Sequence, residues 1–182
     1  MKKRKLLLVV DYQKDFVDGS LGFEKAESLY EGIYNKITSY IDNGDDVIFT
    51  KDTHSVTYLN TREGRNLPIE HCIYGTDGHE LYGDLEKFVK RENVIFKPSF
   101  GSMLDTSIHF NKYDEIEIVG VVTNICVISN AVVFQAFNPE ADVIVDASLC
   151  ASFNEELHEK ALDVMEGMQV KVINRGKEQW LK

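Results

Sequence analysis

With 182 residues, the chain is long enough for one well-buried domain and short for two. Hydrophobic residues make up 43% and include 10 Phe and 8 Tyr, enough for a large packed core. A net charge of −10 argues against nucleic acid and anionic membranes as partners, because long-range repulsion opposes both.

The basic cluster Lys2, Lys3, Arg4, Lys5 runs directly into the apolar stretch Leu6–Val10. Five apolar residues before Asp11 are too few for a signal-peptide core or a membrane span. The segment reads as a solvated N-terminus feeding a buried strand, and the protein is expected to be cytoplasmic. "KLLLVVD" (5–11) is continuous and apolar, as a strand covered on both faces should be. Ala26, Leu29, Ile33, Ile37 and Ile41 recur at steps of three and four, which predicts a helix stopping at Asn43-Gly44. "DVIFTKD" (46–52) is the second strand, followed by a long polar stretch (53–80), a helix around 81–91 and the strand "NVIFKP" (93–98). "EIEIVGVV" (115–122) leads into a helix over 124–137, and "DVIVDA" (142–147) is the fifth strand. Leu157, Ala161, Val164 and Met168 mark a last helix before "QVKVIN" (169–174). The charged segments 84–92 and 154–160 read as exposed helix faces.

Six strands separated by helices or crossover-length connections predict an α/β fold: a doubly wound six-stranded parallel sheet with helices on both faces. No linker or repeat interrupts it, so residues 1–182 are expected to form a single domain. Ligands of such sheets sit beyond the carboxyl ends of the strands. Asp11, Asp52 and Lys97 end the first three strands and Cys126 follows the fourth, so four reactive side chains are expected on one rim. No glycine-rich phosphate loop follows strand one, which weakens any nucleotide reading.

Cys72, Cys126 and Cys150 are odd in number and lack a CxxC pair, so a disulfide framework is not expected. Cys126 is expected near a helix N-terminus, where the dipole and free N–H groups lower a thiol pKa and can receive an oxyanion. Asp11 is placed to take the thiol proton and return it to a leaving amine, with Lys97 holding the carboxylate. A buried cysteine is more often structural, and a strand-end Asp often caps a helix. The coincidence of all three at strand ends of one sheet favours chemistry. Within the polar stretch, Asp52 and His54 are two apart and His71 lies downstream. A carboxylate with two imidazoles suits a borderline divalent ion: Zn²⁺, Mn²⁺ or Fe²⁺.

"VVDYQKDFVDGSL", "FKPSFGS" and "GVVTNICV" resemble the Asp, Lys and Cys segments of the cysteine hydrolases of the isochorismatase-like superfamily, in family order over residues 5 to about 174. The resemblance implies Cys126 as nucleophile, Asp11 as acid/base and Lys97 as its partner. True isochorismatases lack the cysteine, so their vinyl-ether chemistry is disfavoured. "TKDTH…EHCIYGTDG" is similar to the nicotinamidase branch, in which this loop binds a divalent metal through Asp, His and His. That likeness implies hydrolysis of nicotinamide to nicotinate and ammonia, with the metal anchoring the pyridine nitrogen. It also implies a fourth ligand, for which Glu63 is the candidate. Glu70 is weaker, because its neighbour His71 would point the other way. Phe16 matches a family position that packs on the substrate ring, and a cis peptide is implied between Val121 and Val122. The backbone N–H groups of Val122 and Cys126 are then the expected oxyanion hole. Two departures stand out: Leu67-Pro68-Ile69-Glu70 where the branch has an aromatic and two prolines, and Asn124 where it has Asp.

The other thiols, Cys72 and Cys150, read as filler, and His79, His109 and His158 as solvated or capping groups. The implied partner is a small amide; a homo-oligomer is left open, since the sequence does not give the oligomeric state. Two alternatives stand beside nicotinamidase. One is another small-amide or carbamoyl hydrolase of the superfamily, in which the His54/His71 pair has no purpose. The other is a non-catalytic protein of this fold that binds a metal or small molecule.

Overall fold

The computed structural model describes residues 3–103 and 112–181, so His109 lies outside the described residues. The first strand, β1 (Lys5–Val10), is followed by two short turns of helix, α1 (Lys14–Val17) and α2 (Glu24–Glu27), and by the long helix α3 (Tyr30–Asp42). Next come β2 (Asp46–Asp52), the short α4 (Arg62–Asn66), β3 (Val94–Lys97) and β4 (Glu115–Val121). The chain closes with α5 (Ile128–Phe137), β5 (Asp142–Ala151), α6 (Glu155–Gly167) and β6 (Lys171–Ile173).

The six strands pair in the order β3-β2-β1-β4-β5-β6, every neighbouring pair parallel. The sheet has the predicted architecture, and β1 at its centre explains the continuous apolar run. Leu6, Leu8 and Val10 pack with Ala131 and Phe134 of α5 and Leu162 and Met165 of α6. Leu7 and Val9 pack on the other face with Ile33 and Ile37 of α3. Leu6–Val10 are fully buried, and each such side chain contributes about 1.5–3 kcal/mol.

The order reverses direction between β1 and β4, which opens a crevice at their carboxyl ends. There the two backbones come very close. Gly120 pairs with Val10 and has φ +120°, and a Cβ on it would meet the Val10 carbonyl oxygen at 2.1 Å. Only glycine fits. Just beyond, the Val121–Val122 peptide is cis.

Several elements differ from the periodicity reading. The helix expected from Ala26 breaks into α2 and α3, leaving Leu29 between them. No α-helix forms around 81–91. Single 3-10 turns at Leu85–Phe88 and Arg91–Asn93 stand there instead. Gly83 has φ +59°, and Glu86 is drawn inward to Lys51 and the Leu81 N–H, so the segment follows the loop it covers. The fifth strand runs four residues further than expected, to Ala151, and the sixth is only Lys171–Ile173 because Gln169 and Asn174 take left-handed φ of 70° and 58°. In α6 the buried stripe is His158, Ala161, Leu162 and Met165, while Leu157 and Val164 face solvent. The Asn154 side chain caps the Leu157 N–H and sets the helix rotation, so 154–160 is not a wholly exposed face.

Beneath α3 lies a polar network in an otherwise apolar layer. Lys36 reaches both Glu117 of β4 and Asp146 of β5, 2.6 Å from Asp146 Oδ2. Tyr40 donates its hydroxyl to Glu117, and Ser148 and Asn174 donate to Asp146 Oδ1. Burial pulls the Asp146 carboxyl upward, but Lys36, Ser148 and Asn174 outweigh it and hold the pKa below its ordinary value. A carboxylate with a lowered folded pKa stabilises fully above its unfolded pKa and loses that contribution as pH falls through the folded value. Asp146→Asn is therefore expected to cost about 1–3 kcal/mol at pH 7. The gap from wild type should shrink as pH drops below about 4. Urea unfolding of both proteins at pH 7, 5 and 3.5 checks it; a pH-independent gap contradicts it.

Candidate active site

β1 delivers Asp11 to the crevice, where a left-handed φ of 45° turns the chain out of the sheet. The Asp11 N–H donates to the Thr50 carbonyl of β2, and the Thr50 hydroxyl donates back to Asp11 Oδ1 at 2.6 Å. The other carboxylate oxygen, Oδ2, faces Lys97 Nζ at 2.6 Å. Lys97 ends β3 and is fully buried; its ammonium also donates to the Ser99 carbonyl (2.9 Å) and lies 3.6 Å from Cys126 Sγ and 3.5 Å from Asp52 Oδ1. One cation thus touches Asp11, Cys126 and Asp52.

Cys126 lies near the N-terminus of α5, as expected, but two residues before its first residue. It lies inside a single wide turn, Thr123–Val127, that precedes α5. The Val122 carbonyl accepts from both Ile125 and Val127 across this turn, and Asn130 holds the Cys126 carbonyl at 2.8 Å. The thiol pKa is not lowered. Burial, and then the Asp11 charge, push it well above its ordinary value, against the pull of Lys97. Burial likewise raises the Asp11 carboxyl, opposed by Lys97 and helped by Asp52. For Lys97, burial works against the ammonium, but Asp11, Cys126 and Asp52 together hold it protonated. The site thus rests as a thiol beside a carboxylate of raised basicity and a fixed cation.

The second cluster is built on β2 and the long loop after it. His54 Nε2 lies 2.9 Å and His71 Nε2 3.4 Å from Asp52 Oδ2, and Glu63 Oε1 lies 3.8 and 3.7 Å from the same two nitrogens. Asp52, His54 and His71 are buried and Glu63 is half-buried, while Glu70 is exposed and stands apart. His71 Nδ1 lies 2.8 Å from the Ile69 carbonyl, an acceptor for a proton on that nitrogen when Nε2 serves as a cation ligand. Burial raises the Asp52 carboxyl, but His54, His71 and Lys97 together hold it far below the usual carboxylate range. Two carboxylates and two imidazoles, with one donor atom from each within 4.8 Å of the others, fit a divalent cation in charge and donor type.

Several residues that assemble these clusters carry no local sequence signal. Tyr58 packs against both imidazoles, at ring distances of 4.7 and 4.9 Å. Gln13 accepts from the Asp52 N–H (2.7 Å) and donates to the Asp52 and His79 carbonyls, tying β1 to the loop. His79 is buried against Thr53 and Phe96 rather than solvated. Thr50, Tyr58 and Gln13 could have been found only by knowing which strands pair. Cys72 and Cys150 are fully buried, and burial pushes both thiols far up, as suits filler.

Between the clusters opens a cavity of about 380 Å³, walled by Phe16, Leu21, Phe23, Leu67, Phe100, Ile125 and Phe153. Cys126 and Val122 line it, and so do Asp52, Glu63 and His71. Phe16 also packs on the His71 ring at 5.5 Å.

The sheet order and the crevice define an α/β protein that gathers a buried acid, amine and thiol at its topological switch point. The chain matches the isochorismatase domain over residues 5–176 and belongs to the isochorismatase family. It is 34% identical to the uncharacterized isochorismatase family protein PncA of Bacillus subtilis (strain 168), over 87% of this chain and 92% of that protein. Among solved structures it is similar to nicotinamidase PncA from Bacillus subtilis, with TM-score 0.79 and 30% identity over 93% of this chain and 98% of that one. It is also similar to the pyrazinamidase/nicotinamidase from Streptococcus mutans UA159, with TM-score 0.80 and 29% identity over 93% and 99%. Among the described residues, no helix is long and apolar enough to cross a membrane.

Proposed function

We propose that the chain is a nicotinamidase, hydrolysing nicotinamide to nicotinate and ammonia with Cys126 as nucleophile. The observation that carries this reading is the shared cavity: one apolar, aromatic-walled chamber bordered both by Cys126 and by the Asp52, Glu63 and His71 cluster. A flat heteroaromatic ring suits such walls, and its two polar ends suit the two clusters. A metal-independent amidase on this fold would leave the buried His54/His71 pair without a purpose.

The sulfur attacks the carboxamide carbon as its proton passes to Asp11, whose basicity burial has raised. The carbonyl oxygen takes up negative charge, for which the Val122 and Cys126 backbone N–H groups are the proposed donors. Asp11 then returns the proton to the amine, ammonia leaves, and a thioester remains. Water adds to the thioester while giving a proton to Asp11; the carboxylic acid departs and the sulfur is reprotonated. Lys97 stays charged throughout and keeps Asp11 and Cys126 in register. Asp52, His54, His71 and Glu63 would hold a divalent cation (Zn²⁺, Mn²⁺ or Fe²⁺), which when bound supplies a Lewis-acid point for the ring nitrogen. Phe16 packs along the ring.

The test is ammonia release from a panel of nicotinamide, pyrazinamide, benzamide, N-carbamoyl amino acids and short aliphatic amides. Nicotinamide should be turned over fastest. Preference for an N-carbamoyl or aliphatic substrate overturns the assignment in favour of another amidase.

A further inference from the structure

Behind the nucleophile turn, away from the cavity, lies a fully buried histidine that the mechanism does not use. His158 of α6 is fully buried, and its Nδ1 lies 2.9 Å from the Thr123 hydroxyl. Thr123, also fully buried, begins the turn that carries Cys126 three residues later. On the other side of the imidazole, Nε2 faces Glu178 Oε1 at 3.8 Å, and Glu178 is 1% exposed. Trp180 stands edge-on to the ring at 5.3 Å and donates its indole N–H to the Cys150 carbonyl of β5.

We infer that His158, oriented by Glu178, is a positioning residue: it holds Thr123, and through Thr123 the turn that presents the Cys126 sulfur. The direction of the hydrogen bonds follows from charge. Nε2 has no hydrogen-bond partner among the described residues, but the Glu178 carboxylate 3.8 Å away favours the proton on that nitrogen, which makes Nδ1 the acceptor and the Thr123 hydroxyl the donor. Burial holds His158 below its ordinary pKa, so the ring is neutral at pH 7. Polar groups this deeply buried are kept where both partners need each other, since orphaning one costs its desolvation. The opposite end of the turn is fixed separately, by Asn130 on the Cys126 carbonyl. With Ser152 donating to Asn124 Oδ1 and the Ile128 N–H to the Thr123 carbonyl as well, losing the Thr123 hydroxyl anchor loosens the turn without releasing it, which suits a small displacement of the sulfur rather than collapse of the fold.

The inference rests on Cys126 as nucleophile, and the experiment separates the two. Iodoacetamide labelling of wild type is the first arm: if modification confined to Cys126 leaves ammonia release intact, the nucleophile assignment falls. In the second arm, Thr123→Val removes the hydroxyl at constant shape. It should lower kcat by about 10–100-fold while the KM for nicotinamide stays within about twofold, because the ring-binding walls are untouched. Thr123→Ser retains the donor and should restore kcat to within about threefold of wild type. The Thr123→Val/His158→Ala double variant should be no slower than the slower single variant, as expected of one coupled unit. If either variant fails to fold, Glu178→Gln supplies the same kcat-against-KM measurement. Wild-type kcat in Thr123→Val, equal losses in Thr123→Ser and Thr123→Val, or losses that multiply in the double variant, each overturn the positioning role while leaving the nucleophile assignment standing.

Discussion

Cys126→Ala should abolish ammonia release, with kcat falling by about 10⁴-fold or more, while nicotinamide still binds. The cavity walls come from Phe16, Phe23, Leu67, Phe100 and Phe153, none of which depends on the sulfur. Cys126→Ser should be nearly as poor. A hydroxyl gives up its proton far less readily than a thiol, and even the raised carboxyl of Asp11 is a weak base for it. The measurement is single-turnover hydrolysis alongside calorimetric binding of nicotinamide to each variant. Retained turnover in the alanine variant removes the covalent mechanism. Loss of binding instead shows that the substitution damaged the pocket.

His71→Ala should fail differently. Its Nε2 is one of four converging donors, and removing a ligand should weaken divalent-ion binding by at least the 10–100-fold that loss of an outer partner costs. The carboxamide should then be misplaced, and a 1 Å error is worth about 10²-fold in rate. Benzamide has the carboxamide but no ring nitrogen, so it should be a poor substrate of wild type and should lose little more when a chelator strips the ion. Metal content, and the rates of both amides with and without chelator, decide the matter. If the two amides are hydrolysed equally well and neither responds to metal removal, the ring-anchoring role is wrong. The Asp11, Lys97 and Cys126 chemistry would then stand without it.

Much of this was legible in the sequence because it depends on local pattern plus one topological rule. An unbroken apolar run at Leu6–Val10 demands a strand covered on both faces, and helices between strands demand a parallel sheet. Asp11, Asp52 and Lys97 at strand ends then have to share a rim with Cys126. The Asp52/His54 pair was visible too, since two residues apart on an extended chain means one face, whereas His71, 17 residues further on, joined it only through the likeness to the nicotinamidase branch. What the sequence could not reveal is what depends on partners far along the chain. Asp11 owes its geometry to Thr50, 39 residues away, and the imidazole pair is packed by Tyr58. His158 looked like a surface residue because the apolar spacing of α6 points to Leu157 and Val164. The packed helix is rotated so that His158, Ala161, Leu162 and Met165 face inward. The Cys126 thiol pKa follows the same division. A local argument sees a helix start and lowers the pKa, whereas burial and the Asp11 charge are sums over the folded surroundings and raise it. Periodicity and strand-end placement are properties of neighbours in sequence, so the sequence determined the sheet and the rim. Desolvation and electrostatic field are properties of neighbours in space, so only the tertiary structure decided the rotation of α6, the support of the two clusters and the resting protonation of the thiol.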